Sequence, residues 1–348
     1  MSTGFRAVQW NKKKIVYDAI VLAAVVVYIG GFLAVERRIA PPQNLPDEID
    51  LRIVAFGSCA FFMLSAILSI GPLARLDRRF LPLLYNRRHL GVLTFCVAAL
   101  HAWFVIDWYL VQHQLPNLAA ELTKWEDYGK FIDFPFKTLG IAALAILFLM
   151  AATSHDYWLA FLSPRTWKGL HMAVYFAYSL VVMHVALGAM QDEGVLVPAV
   201  LGLVAGAVIV LHLIAGRRER GIDAGTAASD GWLAIGPPEA IPDKGARIVA
   251  PAGGERIAVF RDGDQIGALV NLCAHQGGPV GEGRIIDGLV TCPWHGFQYR
   301  LADGCAPPPF TEKLPTCKVR IRNGIVEVDP RPLAAGTPAA IRCPLRAI

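Results

Sequence analysis

The 348 residues hold no disulfide framework, no dinucleotide-binding glycine motif and no basic patch interleaved with aromatics. Each absence removes a class of function. Seven cysteines are an odd number, and Cys305, Cys317 and Cys343 read as reduced thiols, which points to a cytosolic setting for the part that bears them. Cys59 and Cys96 sit in apolar runs as small buried hydrophobes, while Cys305, Cys317 and Cys343 have no partner at a fixed spacing. No G-x-G-x-x-G follows a strand pattern, so no flavin or nicotinamide module of that kind is encoded. Without a basic–aromatic patch, nucleic acid is not a partner.

Charge is scarce as well, at 18% of residues against about 25% in soluble domains. It is also uneven. Residues 1–228 carry 20 Lys/Arg against 16 Asp/Glu, and residues 229–330 carry 10 against 12. With 55% hydrophobic residues and a mean hydropathy of +0.45, the excess apolar character falls in the first two thirds.

Six runs there approach the roughly 20 residues that cross a bilayer: about 15–35, 53–74, 89–111, 134–153, 169–190 and 195–215. The first follows NKKK but is too long for a signal h-region and has no small-x-small cleavage site, so it reads as a retained anchor. Lys and Arg alternate in density between the two sides. The amino terminus, RLDRRFLPLLYNRR, the SPRTWKG loop and GRRER hold 14; the opposite loops hold 6, Arg37 and Arg38 among them, and QDEG holds none. Positive-inside reasoning then places both termini in the cytoplasm, in a bacterial-type inner membrane.

After Arg220 the composition changes. GIDAGTAASD reads as a small-residue linker. Short alternating runs follow, RIVAPAGG, RIAVFRDG, LVNLCAH, LVTCPW, CKVRIRNG and IVEVD, separated by turn residues as in a small antiparallel β domain. The expected organisation is a multi-domain membrane protein: a six-helix transmembrane bundle over 1–217, a linker over 218–230, a small all-β domain over 231–330 and an irregular tail over 331–348.

The β domain contains Cys273-x-His275 and Cys292-x2-His295. Cys2His2 is a common zinc set, but zinc fingers place both thiols in one turn and both imidazoles on a helix. Here each turn supplies one of each, which suits a two-iron cluster with thiolates on one iron and imidazoles on the other. CAHQGG, CPWHGFQY, the proline loop APPPF and LPTCKVRIRNGIVEV resemble the Rieske family over about 229–330. The resemblance implies a [2Fe-2S] cluster held by Cys273, His275, Cys292 and His295. In the high-potential members a cysteine in each loop forms a disulfide and a serine bonds a cluster sulfur; Gly278, Trp294 and Phe297 stand at those places here. Fewer bonds to sulfur imply a potential toward the lower end of about −150 to +300 mV. Tyr299 is placed to supply one such bond, and Trp294 to shield the cluster, a role compatible with plain core packing. Beyond Asp329 there is no histidine and no acid, so the two-histidine, one-carboxylate iron of a Rieske oxygenase is not encoded in this chain.

Histidine within a bilayer marks function by default. His101 lies midway along the third run, and His171 and His184 lie on the fifth. These runs point the same way, so His101 and His184 sit at matching depth toward the outer face, with His171 near the inner one. FLPLLYNRRHLGV, the ALH that ends at His101 and WKGLHMAVY resemble the ferric-reductase-like transmembrane domain over roughly 50–190, a family that includes the haem subunit of methionine-sulfoxide reductase systems. That resemblance implies one or two b-type haems, with His101 and His184 as axial ligands of an outer haem and His171 of an inner one. His89 is the candidate partner of His171; His155 and His212 also end runs on the inner side. Thirteen residues advance an ideal helix by a net ~220°, so carrying both His171 and His184 inward requires a distorted helix or offset haems. His113 reads as a solvated interfacial residue, and Arg87 and Arg88 as topology charges or propionate partners.

The implied function is transmembrane electron transfer, as an oxidoreductase component, between a cytoplasmic Rieske cluster and haem b. Its partners are membrane lipid, a reductase or ferredoxin as donor, and an extracytoplasmic acceptor or quinone. A quinol-linked oxidoreductase delivering electrons to a cytosolic acceptor and a membrane-tethered redox sensor are the alternatives.

Overall fold

The computed structural model describes residues 12–84, 87–124, 127–128, 134–154, 158, 161–162, 164–188, 194–223 and 230–343. His155, the QDEG loop up to Glu193 and the centre of the expected linker lie outside them. The chain divides into two compact units, one of Lys12–Gly71 and Asn86–His212, the other including Pro72–Tyr85 and Leu213–Ile348.

The first unit is helical. Its elements are α1 (Lys12–Ile39), most of α2 (Leu45–Leu76), α4 (Arg87–Val111), α5 (Leu115–Thr123), α6 (Phe136–Ala152), α7 (Pro164–His171), α8 (Val174–Leu187) and the start of α9 (Leu196–Asp223). A core of Phe61, Leu64, Leu68, Leu147, Ala177 and Tyr178 joins α2, α6 and α8. Within it Ser65 and Tyr178 hydroxyls bond at 3.0 Å, which satisfies both polar groups where no water reaches.

Six runs of crossing length were expected, and the number that reach that length as helices is corrected. Among the described residues, five helices are long and apolar enough to cross a membrane: Lys14–Ile39, Leu45–Leu76, Arg87–Val111, Thr166–Leu187 and Leu196–Gly221. The run at 134–153 forms only the 17-residue α6, about 26 Å at 1.5 Å per residue. Its ends explain the length. Pro135 stands at the start, and at the finish Thr153 Oγ1 and Ser154 Oγ donate to the carbonyls of Leu149 and Met150. These side chains satisfy last-turn acceptors and end the helix.

The fifth run carries the distortion its histidine spacing demanded. α7 stops at His171 and α8 begins at Val174. Between them Ala173 N–H donates to Leu170 and Tyr175 N–H to Met172, three residues back rather than four. That tighter turn changes the rotation between His171 and His184 from the value of a continuous helix.

The second unit is mostly β. β2 (Gly245–Val249), β3 (Ile257–Asp262) and β4 (Gln265–Val270) form an antiparallel meander, and β8 (Thr316–Cys317) and β11 (Ile341–Arg342) both pair with β4. β1 (Leu233–Gly236) lies beside the hairpin of β9 (Val319–Arg322) and β10 (Ile325–Val328). β5 (Arg284–Ile286), β6 (Leu289–Thr291) and β7 (Gln298–Arg300) form a third small sheet. Asp287-Gly288 and Asn323-Gly324 turn two of the tight hairpins with all four residues at positive φ, the conformation that such dipeptides adopt most readily.

This unit also includes the end of α2, the short α3 (Leu81–Leu84) and the extension of α9. Arg218 donates to the carbonyls of Arg75 and Leu76 at 3.0 and 2.8 Å, covering the last acceptors of α2. Arg75 pairs with Glu282 at 3.3 Å, and Glu219 with Arg256. The expected linker therefore starts as helix, with two of its residues held by these bonds.

Candidate metal centres

The two Cys–His turns of the β unit are built alike. In the turn after β4, Cys273 N–H donates to Gly278 and Gly277 N–H to Cys273. In the turn between β6 and β7, Cys292 N–H donates to Phe297 and Gly296 N–H to Cys292. Gly277 and Gly296 adopt φ of 68° and 72°, which reverses each loop without a side-chain clash.

The result brings like donors together. The thiols of Cys273 and Cys292 interact directly, and both are buried. The His275 and His295 rings lie 5.4 Å apart between centroids at an interplanar angle of 81°. Two imidazoles on one tetrahedral metal, with bonds of about 2.0 Å, place their centroids about 5 Å apart. Among the described residues, no three such donors converge on a single point as a mononuclear zinc site requires. Thiols with thiols and imidazoles with imidazoles fit two adjacent irons.

Burial opposes charge on either sulfur. Cys292 is pushed well up, by burial and then by its neighbour Cys273. At Cys273 burial is outweighed by bonds from Cys292, Tyr299 and the backbone of His275 and Gln276, and its thiol is held below the ordinary range. Tyr299 is fully buried; its oxygen accepts the Ala274 N–H at 3.1 Å and lies 3.2 Å from Cys273 Sγ. Against a thiolate at Cys273, which has no proton to give, the hydroxyl is the donor. Burial and Cys273 push the phenol far above its ordinary range, so it remains a donor.

Gly278 is required by contact. A Cβ there would stand 2.9 Å from Cys292 Sγ and 3.0 Å from Trp294. Phe297 stacks on His275 at 5.1 Å and 11°, and Phe310 packs against Phe297 at 5.0 Å. Trp294 meets His295 edge-on at 6.5 Å.

In the helical unit, His101 on α4 and His184 on α8 face each other with ring centroids 6.3 Å apart and planes 82° apart. Each Nδ1 lies 2.9 Å from a backbone carbonyl, Ile53 on α2 for His101 and Phe136 on α6 for His184. A carbonyl only accepts, so both rings carry the proton on Nδ1 and keep Nε2 as the lone-pair nitrogen, the tautomer that metal-bound histidines adopt. An iron bridging two Nε2 atoms with bonds of about 2.0 Å, and about 1.1 Å further to each centroid, separates the centroids by about 6.2 Å. The pair fits a six-coordinate haem iron.

His171 stacks on Trp167 at 3.8 Å, and its Nδ1 lies 3.0 Å from the Trp167 carbonyl. Its Nε2 is buried without a hydrogen-bond partner, as a ligand nitrogen would be. His89 Nδ1 lies 2.7 Å from Asp18 Oδ2, a carboxylate contact of the type that supports a metal-bound imidazole. His212 is engaged on both nitrogens, by the Val208 carbonyl at 2.8 Å and the Tyr175 hydroxyl at 3.3 Å. His113 is exposed. Sequence reasoning missed Asp18, the Ile53 and Phe136 carbonyls, and Gly57 and Gly140, which lie against the two facing rings. Only a glycine in mid-helix, costly by propensity, marked the last two.

Comparisons with known proteins divide at the same place. The family described as ferric reductase like transmembrane component matches residues 54–182, and the Rieske [2Fe-2S] domain matches residues 231–318. The protein-methionine-sulfoxide reductase heme-binding subunit MsrQ of Caulobacter vibrioides is 31% identical over 175 residues, 49% of this chain and 76% of that protein. The anthranilate 1,2-dioxygenase ferredoxin subunit of Burkholderia cepacia is 41% identical over 81 residues, 22% of this chain and 73% of that protein. Magnetosome protein MamZ of Magnetospirillum gryphiswaldense is 32% identical over 140 residues, 40% of this chain and 20% of MamZ. A solved complex of oxygenase and ferredoxin in carbazole 1,9a-dioxygenase contains a chain 27% identical, with a TM-score of 0.28, covering 30% of this chain and 96% of that one.

Proposed function

The chain belongs to the ferric-reductase-like transmembrane family and carries a Rieske [2Fe-2S] domain, hence haem b and an iron–sulfur cluster in one membrane protein, and on that premise we propose that it conducts electrons between the two. The observation that carries this reading is that one chain holds a paired-thiol, paired-imidazole site and two opposed imidazoles at the separation of a bridged iron. Both bound groups supply one-electron transfer.

In this reading Cys273 and Cys292 hold one iron of the cluster and His275 and His295 the other. Tyr299 donates its proton to Cys273 Sγ, while Phe297 stacks on His275 and Trp294 packs edge-on against His295. His101 and His184 are the axial ligands of one haem, fixed in tautomer by the carbonyls of Ile53 and Phe136. His171, with its buried Nε2, and His89, braced by Asp18, are the candidate ligands of a second.

The Rieske domain follows α9, whose Arg218 is bonded to the end of α2 beside the arginine-rich 75–88 segment. Both ends thus lie on the Lys/Arg-rich side, which is the cytoplasmic one by the positive-inside rule. Electrons enter from a soluble reductase or ferredoxin there and leave outward to an extracytoplasmic acceptor. Inside-out vesicles test this: a reduced ferredoxin-class donor added outside should reduce haem b in the wild type and fail in Cys273→Ser. Equal reduction in both proteins refutes the route.

One observation favours a second reading. Tyr175, 43% exposed, bonds His212 on the apolar helical unit, a polar pair open to a quinol headgroup. Haem reduction by a short-chain quinol that survives in Cys273→Ser would select the quinol-linked route.

A further inference from the structure

The haem-facing pair is built twice from one pattern. His101 bonds a carbonyl 48 residues before it, and so does His184. One helical turn after each carbonyl stands a glycine, Gly57 after Ile53 and Gly140 after Phe136. All three positions recur at a constant offset of 83 residues: 53 and 136, 57 and 140, 101 and 184.

The contacts show why glycine is needed. A Cβ on Gly57 would lie 2.9 Å from both Cε1 and Nδ1 of His101, and a Cβ on Gly140 would lie 3.0 Å from the same atoms of His184. In a helix the carbonyl of residue i accepts the N–H of residue i+4. An imidazole that shares this carbonyl must therefore approach across residue i+4, where any side chain obstructs it. By contrast, Gly30, Gly31, Gly202 and Gly206 would meet nothing within 4 Å.

We propose that Gly57 and Gly140 are matched positioning residues that open a helix carbonyl to each axial imidazole and so set both ring planes about the iron. The proposal rests on the assignment of His101 and His184 as haem ligands. It assigns a purpose to the 82° between the rings: each plane is set by its own helix rather than by the other ring. Crossed planes leave the iron's two π-type d orbitals nearly degenerate, which gives a strongly anisotropic low-spin ferric signal. The Nδ1–H···O bond also raises ligand basicity, which favours the ferric state and lowers the haem potential.

The test compares wild type, Gly57→Ala, Gly140→Ala and the control Gly206→Ala as full-length purified proteins. Haem content is measured first, by pyridine haemochrome. If wild type binds no haem b, the underlying assignment fails rather than this inference. With haem bound, each of the two variants should shift the low-field ferric g-feature and raise the haem potential, while Gly206→Ala should match wild type. Wild-type spectra and potentials in both variants at full haem content overturn the proposal. If neither variant retains haem, proton ENDOR on wild type after transfer to D2O decides. Two Nδ1 protons that resist exchange uphold the carbonyl bonds, and rapid exchange of both overturns them.

Discussion

Replacing Tyr299 by Phe removes one oxygen and leaves the ring where it is. The side chain is fully buried and packs on Phe297 at 5.3 Å, so the core keeps its filling. Two bonds are lost: the one directed at Cys273 Sγ, at 3.2 Å, and the one accepted from Ala274 N–H, at 3.1 Å. A bond to a charged acceptor contributes about 1.5–3 kcal/mol. The sulfur is more negative in the reduced cluster, so the bond favours reduction. If the reduced state gains about 1–2 kcal/mol more from it, the one-electron potential falls by about 40–85 mV on substitution, since 59 mV corresponds to about 1.4 kcal/mol. The orphaned Ala274 N–H should also cost about 1–3 kcal/mol of stability. An EPR-monitored redox titration of the Rieske signal in both proteins reads the shift. An unchanged or raised potential at full cluster content would refute the assignment of that proton to the sulfur.

Gly278→Ala should lower cluster loading, because its Cβ would press on Cys292 Sγ at 2.9 Å; iron and acid-labile sulfide per chain measure this, and full loading contradicts it. His101→Ala and His184→Ala should each abolish the reduced-haem band assigned to that pair while the Rieske EPR signal persists, and an intact band in either removes that residue as a ligand. Burial, with the Asp329 carboxylate adding to it, pushes the Cys317 thiol up to about 12. Alkylation near neutral pH should therefore reach Cys305 and Cys343, both partly exposed, well before Cys317, as peptide mass mapping will show. Burial also raises the Glu282 carboxyl above its ordinary range, against the opposing charge of Arg75. A raised acid holds its proton more tightly in the folded state, so the stability it contributes is full below the ordinary glutamate range and declines as pH rises through the folded value. As pH rises above the ordinary glutamate range, the melting temperature of wild type should fall relative to Glu282→Gln; parallel curves would contradict the shift.

The pattern of alternating apolar and turn residues was sufficient for the β unit, because Asp-Gly and Asn-Gly hairpins and one-residue alternation are local properties. The cluster donors were legible for the same reason: each Cys–His pair sits in one short turn, and its spacing is fixed by that turn. The histidines of the apolar half were legible by rarity alone. The shortness of the helix at 134–153 was not, since hydropathy does not register the Thr153 and Ser154 side chains that close α6 at 17 residues.

By itself, then, the sequence determined composition-level and turn-level facts: an apolar helical half, a β half, four cluster donors and a short roll of histidines. Tertiary structure added the arrangement of those donors, with the buried thiols of Cys273 and Cys292 together and the rings of His275 and His295 crossed. It alone set the distance and angle between His101 and His184, and gave each a carbonyl 48 residues away with a glycine beside the ring. The physical reason is range. A turn is fixed by neighbours in the chain, whereas a ring plane is fixed by whichever helix packs beside it, and only the fold brings that helix there.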